Sequence, residues 1–414
     1  MLDELGIQAL SRELNSKEQK IADSLLNCKR ISGRFSHFNP FTCDPLKIRG
    51  RLFADPSCLD AFSTLILPIE DDKWNLGQIT LENPPGTTNI QRLEWANNVF
   101  KRKAIAAADA SYIRHDTHSN LQYAFMQVAV FWKGIGRYLR EVSGSLRIGD
   151  ELYSQGRDMT LFEDEDYQEW NWNMTIDLLD RRFAEHAPFF LFLDESLSIS
   201  YARNYTQSRQ MRLLTSLHQY LDRIEELGIV PVAVYHSLDR AIINTGLKCL
   251  ACDRDLQCKN CVDRPTDIEL SFKTLYDRLF LQDILASNYS RTPCFKPLNS
   301  IISKTRDDLT LNLAAFYLRI DNHILRVEFP SKYIEEDKDI VEDIHEAVVA
   351  DSLLTGGYPM TLMNAHELAV LTSRDRETVN EMVYRKTLEM TARYGINLSM
   401  KLTRKSELKR RMIT

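Results

Sequence analysis

The chain has 414 residues, of which 44% are hydrophobic and 27% are charged, as in ordinary folded soluble proteins. Its formal net charge of −6 excludes a global attraction to nucleic acid, so any site for a polyanion must be a local basic surface or a channel. The N-terminal sequence has no secretory signal, and no apolar stretch approaches the ~20 residues that cross a bilayer. We therefore expect a cytoplasmic protein without a membrane segment.

The predicted elements begin with an amphipathic helix over residues 3–28, where leucine and isoleucine recur at near-helical spacing. Residues 31–85 are rich in proline, glycine and β-forming residues, which predicts short strands of a small β-rich subdomain. A helix from Ile90 then leads into the rest of the chain. We therefore predict an N-terminal extension over residues 1–95 and one larger domain over residues 96–414.

The middle of the chain alternates apolar runs, which predict buried strands, with amphipathic segments, which predict helices. In chain order these are strands over Ile105–Asp109 and Leu121–Trp132, a helix over Trp172–His186, a strand over Phe189–Asp194, a helix over Gln207–Leu227 and a strand over Ile229–Tyr235. The last strand, helix and strand predict a parallel pair with a right-handed crossover. Antiparallel strands followed by parallel ones predict a mixed α/β fold with an RNase H-like sheet and flanking helices.

The C-terminal part is predicted to contain a hairpin and several helices. Strands over Phe316–Ile320 and His323–Phe329 are joined at Asp321-Asn322. Helices are predicted over Ile340–Leu354 and Arg376–Tyr394. Between these helices, a Gly-Gly-Tyr-Pro turn leads into a short helix that carries His366.

Two of the predicted strands end in an aspartate, Asp109 and Asp194. Neighbouring carboxylates repel each other unless a divalent cation neutralises them, which points to metal-dependent chemistry on a phosphate. An imidazole ligand from His366 would favour manganese-like ions, and Tyr358 would orient the phosphate or the attacking water. The alternative is that each residue is structural, because strand-end aspartates are often turn residues and helical histidines are often surface residues.

Two Cys-X-X-Cys pairs separated by five residues lie in a predicted insert over residues 246–265. Four thiolates suit a tetrahedral zinc ion, so Cys249, Cys252, Cys258 and Cys261 predict a compact structural zinc knuckle. A redox pair is the weaker interpretation, because neither half begins a helix after a strand. The insert should project from the core and either staple a loop or contact DNA or a partner.

An ordered series of short segments resembles the NurA nuclease family over roughly residues 100 to 410. The matching segments are Ala-Ala-Ala-Asp109-Ala-Ser-Tyr, Phe-Leu-Phe-Leu-Asp194-Glu-Ser-Leu, Gly228–Tyr235, Leu325–Pro330, and Gly357-Tyr358-Pro359 followed by Leu362 and Ala365-His366. The resemblance departs at Ala110 and Glu195, where the family usually has glycine. Neither departure removes a predicted ligand.

The resemblance implies a manganese or magnesium centre at Asp109, Asp194 and His366, supported by Tyr358. In the family a further carboxylate, usually glutamate, lies on the helix before the second aspartate. We assign that role to Asp177, with Asp180 as the rival, and the shorter side chain would alter metal spacing. The resemblance also implies a homodimer with a DNA channel that docks on the HerA hexameric ATPase translocase.

The leading hypothesis is a deoxyribonuclease that processes DNA ends in double-strand break repair by a two-metal mechanism. In its basic C-terminal tail, Lys401 or Lys405 would hold a backbone phosphate, although solvated tails of this kind are common. The alternative is a non-catalytic nucleic-acid-binding or assembly module on the same fold. A phosphotransferase with an aspartyl nucleophile is weaker. The sequence contains no GxxxxGK[ST] motif, so motor activity must come from a partner.

Overall fold

The computed structural model describes residues 4–23, 26, 41, 64–74, 76–114, 121–134, 136–153, 162–183, 189–199, 201–202, 205–236, 277–299, 312–337, 339–353 and 355–395. The four cysteines of the predicted zinc knuckle, together with Lys401 and Lys405, lie outside these residues. The predictions made for them therefore stay predictions.

The described part of the chain contains both helices and strands throughout its length. In order they are α1 (Glu4–Ser16), β1 (Thr64–Pro68), α2 (Asp71–Trp74), α3 (Asn89–Arg102), β2 (Ile105–Ile113), β3 (Tyr123–Gly134), β4 (Arg137–Ile148), α4 (Asp164–Phe183), β5 (Phe190–Leu193), α5 (Gln207–Glu226), β6 (Val230–His236), α6 (Asp277–Ile284), β7 (Phe295–Asn299), β8 (Leu313–Ile320), β9 (His323–Pro330), α7 (Lys332–Glu336), α8 (Ile340–Ser352), α9 (Met360–Ala369) and α10 (Ser373–Tyr394). Among these, no helix combines the length and the apolar character needed to cross a membrane.

The chain folds as two compact units. The first unit draws on residues 1–96, 195–204 and 232–358, and the second on residues 97–194, 205–231 and 359–414. Helix α3 and strand β6 each contribute residues to both units. The predicted division into residues 1–95 and 96–414 concerns sequence segments and stays a prediction.

The first unit contains an antiparallel arrangement of strands in the order β1-β7-β8-β9-β6. The predicted hairpin is confirmed, because β8 and β9 pair from Leu313↔Pro330 to Ile320↔His323. Asp321 in the turn adopts a φ of 52°, a conformation that aspartate tolerates better than most residues. Nearly every residue of this hairpin is buried, so it forms the core of the first unit.

The second unit contains strands in the order β5-β2-β3-β4. Strands β2, β3 and β4 pair antiparallel, whereas β5 pairs with β2 in parallel. The predicted mixed α/β fold is thereby confirmed. Helix α4 packs against α5, where Trp172 stacks on Tyr220 with ring centroids 5.4 Å apart. The predicted end of α5 is also confirmed, because Gly228 follows it with a φ of 72°.

One prediction about β2 is wrong, because Asp109 does not end this strand. Pairing with β3 continues from Ile105↔Lys133 to Ile113↔Phe125, so Asp109 lies in the middle of β2. The first four residues of β2 are buried and the next four are half-buried. The end of the apolar run therefore marks where burial decreases and not where the strand stops.

Two further elements differ from the predictions in length or existence. Strand β4 was not predicted, because both of its faces mix polar and apolar residues and show no clear apolar alternation. Helix α4 begins at Asp164 and not at Trp172. Its acidic first turn suits a helix N-terminus, and the buried Glu165 pairs with Arg209 and Arg212 at 2.6 and 2.7 Å. Tertiary ion pairing thus extends this helix beyond its apolar pattern.

A buried histidine in α8 predicts a pH dependence of stability. The ring of His345 is fully buried, with Nε2 2.8 Å from the Tyr289 carbonyl and Nδ1 3.6 Å from a Glu342 carboxylate oxygen. Burial lowers the pKa of His345 below its ordinary value of 6.5, although the Glu342 carboxylate opposes this effect. The unfolded chain therefore binds this proton more readily, and stability falls as pH decreases below 6.5.

We expect His345→Gln, which keeps a side-chain donor for the Tyr289 carbonyl, to remove this part of the pH dependence. Between about pH 7.5 and about pH 5.5 the wild-type chain should lose at most about 1.4 kcal/mol more unfolding free energy than the variant. Urea unfolding at the two pH values measures the difference. Equal pH dependence in both proteins would show that the folded state protonates His345 as readily as the unfolded chain does.

Candidate active site

The two predicted aspartates lie where the parallel pairing of β2 and β5 ends. The paired residues run from Ile105↔Phe190 to Ala108↔Leu193. Asp109 follows Ala108 within β2, and Asp194 follows Leu193 directly after β5, so each comes one position after the last pair. Neighbouring strands lie ~4.8 Å apart, so the two backbones are close enough for their side chains to serve one site. The fold therefore brings the backbones of these two residues to the same end of the parallel pair.

Helix α9 is held against β2 and β3 by apolar packing and by side-chain hydrogen bonds. Its buried residues are Thr361, Leu362, Ala365 and Ala369. Gln127 in β3 donates from Nε2 to the Leu368 carbonyl at 2.9 Å, and the Leu371 N–H donates to Ser111 Oγ at 3.3 Å. These contacts hold the C-terminal end of the helix, which carries His366, over β2.

The central contact of the site joins Asp109 and His366. The Nδ1 atom of His366 lies 2.7 Å from Oδ2 of Asp109, although the two residues are 257 positions apart in the sequence. The aspartate side chain is 24% exposed and the histidine side chain 62%, so the pair is open to solvent and to a ligand. The second oxygen of Asp109 accepts a hydrogen bond from the Ala110 N–H at 2.7 Å. The two residues were predicted to share a metal centre, and that role stays a prediction.

The hydrogen bond has a consequence for the imidazole ring. With Nδ1–H donating to Asp109, the lone pair of His366 lies on Nε2 and can bind a cation or accept a proton. A carboxylate that holds one ring nitrogen in this way fixes the orientation of the ring and its tautomer. Asp109 can therefore act on an ion both through its own oxygens and through His366.

The remaining predicted carboxylates are arranged differently. Asp194 is exposed directly after β5. Asp177 lies on α4 with its side chain 67% exposed, and its Oδ2 is 3.3 Å from Arg181 Nη2. Asp180 is exposed on the same helix. Within the described residues, no group of three or more His, Cys, Asp or Glu side chains is arranged to hold a metal ion. The structure thus joins Asp109 to His366 and pairs Asp177 with Arg181, while Asp194 follows the last residue of β5 that pairs with β2.

Tyr358 belongs to the first unit and is held by the residues around it there. Its ring stacks on the ring of His236, with centroids 4.7 Å apart and an interplanar angle of 16°. Its hydroxyl lies 3.5 Å from the Val234 carbonyl. The predicted role of Tyr358 beside the phosphate stays a prediction.

Gln127 and Ser111 were not predicted as site residues, although their side chains form the hydrogen bonds that hold the C-terminal end of α9. A signal for Gln127 exists, because it is a lone amide inside the apolar run of β3. Ser111 carries no comparable signal, since a serine within a half-buried strand is common. The observed role of both residues is to hold the helix that carries His366.

The donor atoms of the site fit a hard divalent cation in kind. Carboxylate oxygens are the ligands that magnesium and manganese prefer, and an imidazole nitrogen shifts the preference toward manganese. Asp109, Asp194 and His366 supply both atom types from three separate elements. The chemistry of the donor set is therefore compatible with the metal that the sequence predicts.

The family model of the NurA domain matches residues 103–371 of the chain. The chain belongs to the NurA family. The matched region contains Asp109, Asp177, Asp194, Tyr358 and His366, so all five predicted active-site residues lie inside the NurA domain. Membership of this family supports a nuclease function.

Solved structures similar to the chain include other nucleases. A crystal structure of NurA with manganese is 12% identical, with a TM-score of 0.31, and the alignment covers 72% of this chain and 96% of that one. A second NurA crystal structure has 12% identity, a TM-score of 0.33 and coverages of 71% and 95%. The catalytic domain of human endonuclease V has 11% identity, a TM-score of 0.31 and coverages of 73% and 91%. No curated protein matches the chain. We assign the family from the domain match alone.

Proposed function

We propose that the chain is a metal-dependent DNA nuclease that processes DNA ends in double-strand break repair. The observation that carries this proposal is the contact between Asp109 and His366, which joins a strand carboxylate to a distant imidazole inside the NurA domain. One oxygen of Asp109 accepts the Ala110 N–H, and the other accepts from the ring of His366. A carboxylate–imidazole pair that solvent can reach, with the further carboxylate of Asp194 following the strand that pairs with β2, suits a hydrolytic metal centre.

Asp109, Asp194 and His366 would hold manganese or magnesium ions, and Asp177 would supply a further carboxylate. When bound, two such ions supply an activated water and stabilise the charge on the leaving oxygen of the phosphodiester. NurA has been crystallised with manganese, and the donor atoms of this chain fit that ion. For Asp177 to contribute, its carboxylate must leave the exposed pair with Arg181, which is a weak interaction.

The protein's own residues would perform the remaining tasks. Asp109 holds the ring of His366 through Nδ1 and so keeps Nε2 oriented for an ion or a proton. The hydroxyl of Tyr358 would donate to a non-bridging phosphate oxygen and orient it for in-line attack. In the tail, Lys401 or Lys405 would neutralise a backbone phosphate as a point charge.

The partners follow from the family and from the net charge of the chain. DNA, single-stranded or double-stranded, would bind in a basic channel of a homodimer, because the total charge of −6 gives no general attraction. A HerA-like hexameric ATPase would supply translocation along DNA, because this sequence contains no GxxxxGK[ST] phosphate-binding loop. We further propose that the sheet of the second unit is RNase H-like and that the four insert cysteines bind a structural zinc ion.

Metal-dependent cleavage is the first expected result. Incubated with linear duplex and single-stranded DNA, the purified chain should cleave DNA with manganese at a rate at least about 10³-fold above the metal-free rate. EDTA should stop the reaction, and excess manganese should restore it. Tight DNA binding without cleavage under all of these conditions would contradict the proposal and favour a non-catalytic binding module on the same fold.

A further inference from the structure

The Gly-Tyr-Pro turn of the NurA domain is shaped by a histidine that lies outside the turn. Gly357 adopts a φ of +121°, which L side chains rarely adopt. A Cβ atom at this position would lie 2.4 Å from Cδ2 of His323, closer than any real contact allows. The His323 ring therefore occupies the space that a side chain at Gly357 would need.

Hydrogen bonds fix the backbone on both sides of this glycine. The Gly357 N–H donates to the Ser352 carbonyl at 3.3 Å. The Thr355 hydroxyl lies 3.0 Å from the same Ser352 carbonyl and also contacts the carbonyl of Tyr358. The backbone that carries the Tyr358 ring is thus set by contacts within the first unit.

The side chain of Tyr358 stacks on an aromatic ring of the first unit. Its ring lies nearly parallel to the ring of His236, with centroids 4.7 Å apart, and the His236 ring lies 5.2 Å from the His323 ring. The contact from the Tyr358 hydroxyl to the Val234 carbonyl is 3.5 Å long, at the limit of a hydrogen bond, so it orients the ring weakly. Stacking with His236 is therefore a direct constraint on the direction of the ring.

The strand pairing of β6 and β9 explains why the two histidines meet. His236 ends β6 opposite Leu325, and His323, two residues before Leu325, begins β9. Residues in this diagonal relation lie within reach of aromatic side chains on the same face of a sheet. The hairpin turn at Asp321 thus places His323 beside both His236 and Gly357.

We propose that His236 is a positioning residue that aligns Tyr358 for phosphate binding, and that His323 supports it by packing between His236 and Gly357. The inference rests on the proposed nuclease function and deepens it. Neither histidine touches the reacting atoms, so their effect runs through the direction of the Tyr358 ring. A tyrosine free to rotate would spend less time in the productive geometry, which lowers the rate of the chemical step.

The kinetic test compares substitutions that keep or remove a flat ring at position 236. His236→Ala and His236→Leu should lower kcat for manganese-dependent DNA cleavage on the order of 10-fold, with KM changed by less than about 2-fold. His236→Phe keeps the stacking surface and should restore most of the lost kcat. His218→Ala, a histidine substitution on α5 in the second unit, is the matched control and should leave kcat unchanged.

A spectroscopic test reports on the tyrosine without requiring cleavage. In the full chain labelled with fluorotyrosine, the line of Tyr358 is assigned by its loss in Tyr358→Phe, and ring currents from the stacked His236 should shift it upfield. His236→Ala and His236→Leu should move this line toward the position of an unstacked tyrosine, whereas His236→Phe and His218→Ala should leave it shifted. Thermal unfolding confirms that each compared variant is folded, and His236→Leu replaces His236→Ala if the latter does not fold.

The two tests separate this inference from the nuclease function itself. An unchanged Tyr358 line in folded His236→Leu would overturn the positioning role, whatever the activity. A moved line with kcat unaffected would also overturn it, because the ring orientation would then not matter to the reaction. Failure of the wild-type chain to cleave DNA would overturn the nuclease function. The fluorine NMR line of Tyr358 would still decide whether His236 orients this ring.

Discussion

Asp109→Asn is expected to reduce DNA cleavage by at least about 10³-fold while the protein still folds. The amide has the shape of the carboxylate and keeps an oxygen that can accept the Ala110 N–H, so the strand should be undisturbed. The substitution removes the negative charge that would hold the metal ions and the acceptor that orients His366. The loss should therefore appear in kcat and in the affinity for manganese together.

A matched control separates this effect from a general effect of charge. Asp222→Asn makes the same chemical change on the exposed face of α5 in the same unit and should retain wild-type activity. Cleavage is measured with manganese on linear DNA, and thermal unfolding shows whether each variant is folded. Full activity of folded Asp109→Asn would remove this residue from the catalytic centre.

The largest expected effect on stability comes from a buried ion pair in the first unit. Arg326 and Glu328 are neighbours on one face of β9, with side chains 1% and 0% exposed and a closest N–O distance of 2.7 Å. The Glu328 carboxylate also accepts from the hydroxyls of Tyr235 at 2.8 Å and Ser196 at 2.9 Å. Burial raises the pKa of the Tyr235 hydroxyl, so it stays a neutral donor to this carboxylate.

Glu328→Ala should destabilise the chain by about 3–5 kcal/mol, because it leaves the Arg326 charge buried without its carboxylate. Replacing both partners with apolar residues, as in Arg326→Met with Glu328→Leu, should recover much of this loss. Glu381→Ala breaks an exposed pair with Arg385 on α10 and should cost less than about 1 kcal/mol. Chemical unfolding compares the four proteins, and a double variant no more stable than Glu328→Ala would contradict the charge-burial account.

Elements with strong apolar periodicity were predictable from the sequence. The bounds of β5, α5, β6 and β9 were predicted to within one residue, and the start of β8 to within three, because burial on a regular face leaves a clear pattern. Strand β4 was missed because its exposed side carries apolar residues, namely Tyr138, Val142, Leu146 and Ile148, while its other side is largely polar or charged. Whether such a segment forms a strand depends on its neighbours in the sheet, which the local sequence does not reveal.

The candidate site was predictable in its residues and less so in its geometry. Resemblance to the NurA family predicted Asp109 and His366 as ligands of one metal centre; the structure joins them by a 2.7 Å hydrogen bond, and their role as ligands stays a prediction. The middle position of Asp109 in β2 was not foreseen, because β3 pairs beyond the point where β5 stops. The pair of Arg326 and Glu328 had a signal that passed unused, namely two opposite charges two residues apart in an apolar strand.

The most direct test of the metal centre is an anomalous difference map from crystals soaked in manganese. The account predicts one or two strong peaks within coordination distance of Asp109 and His366, with Asp194 completing the same shell. Manganese bound elsewhere, with Asp109 and His366 still hydrogen-bonded to each other and no peak beside them, would contradict it.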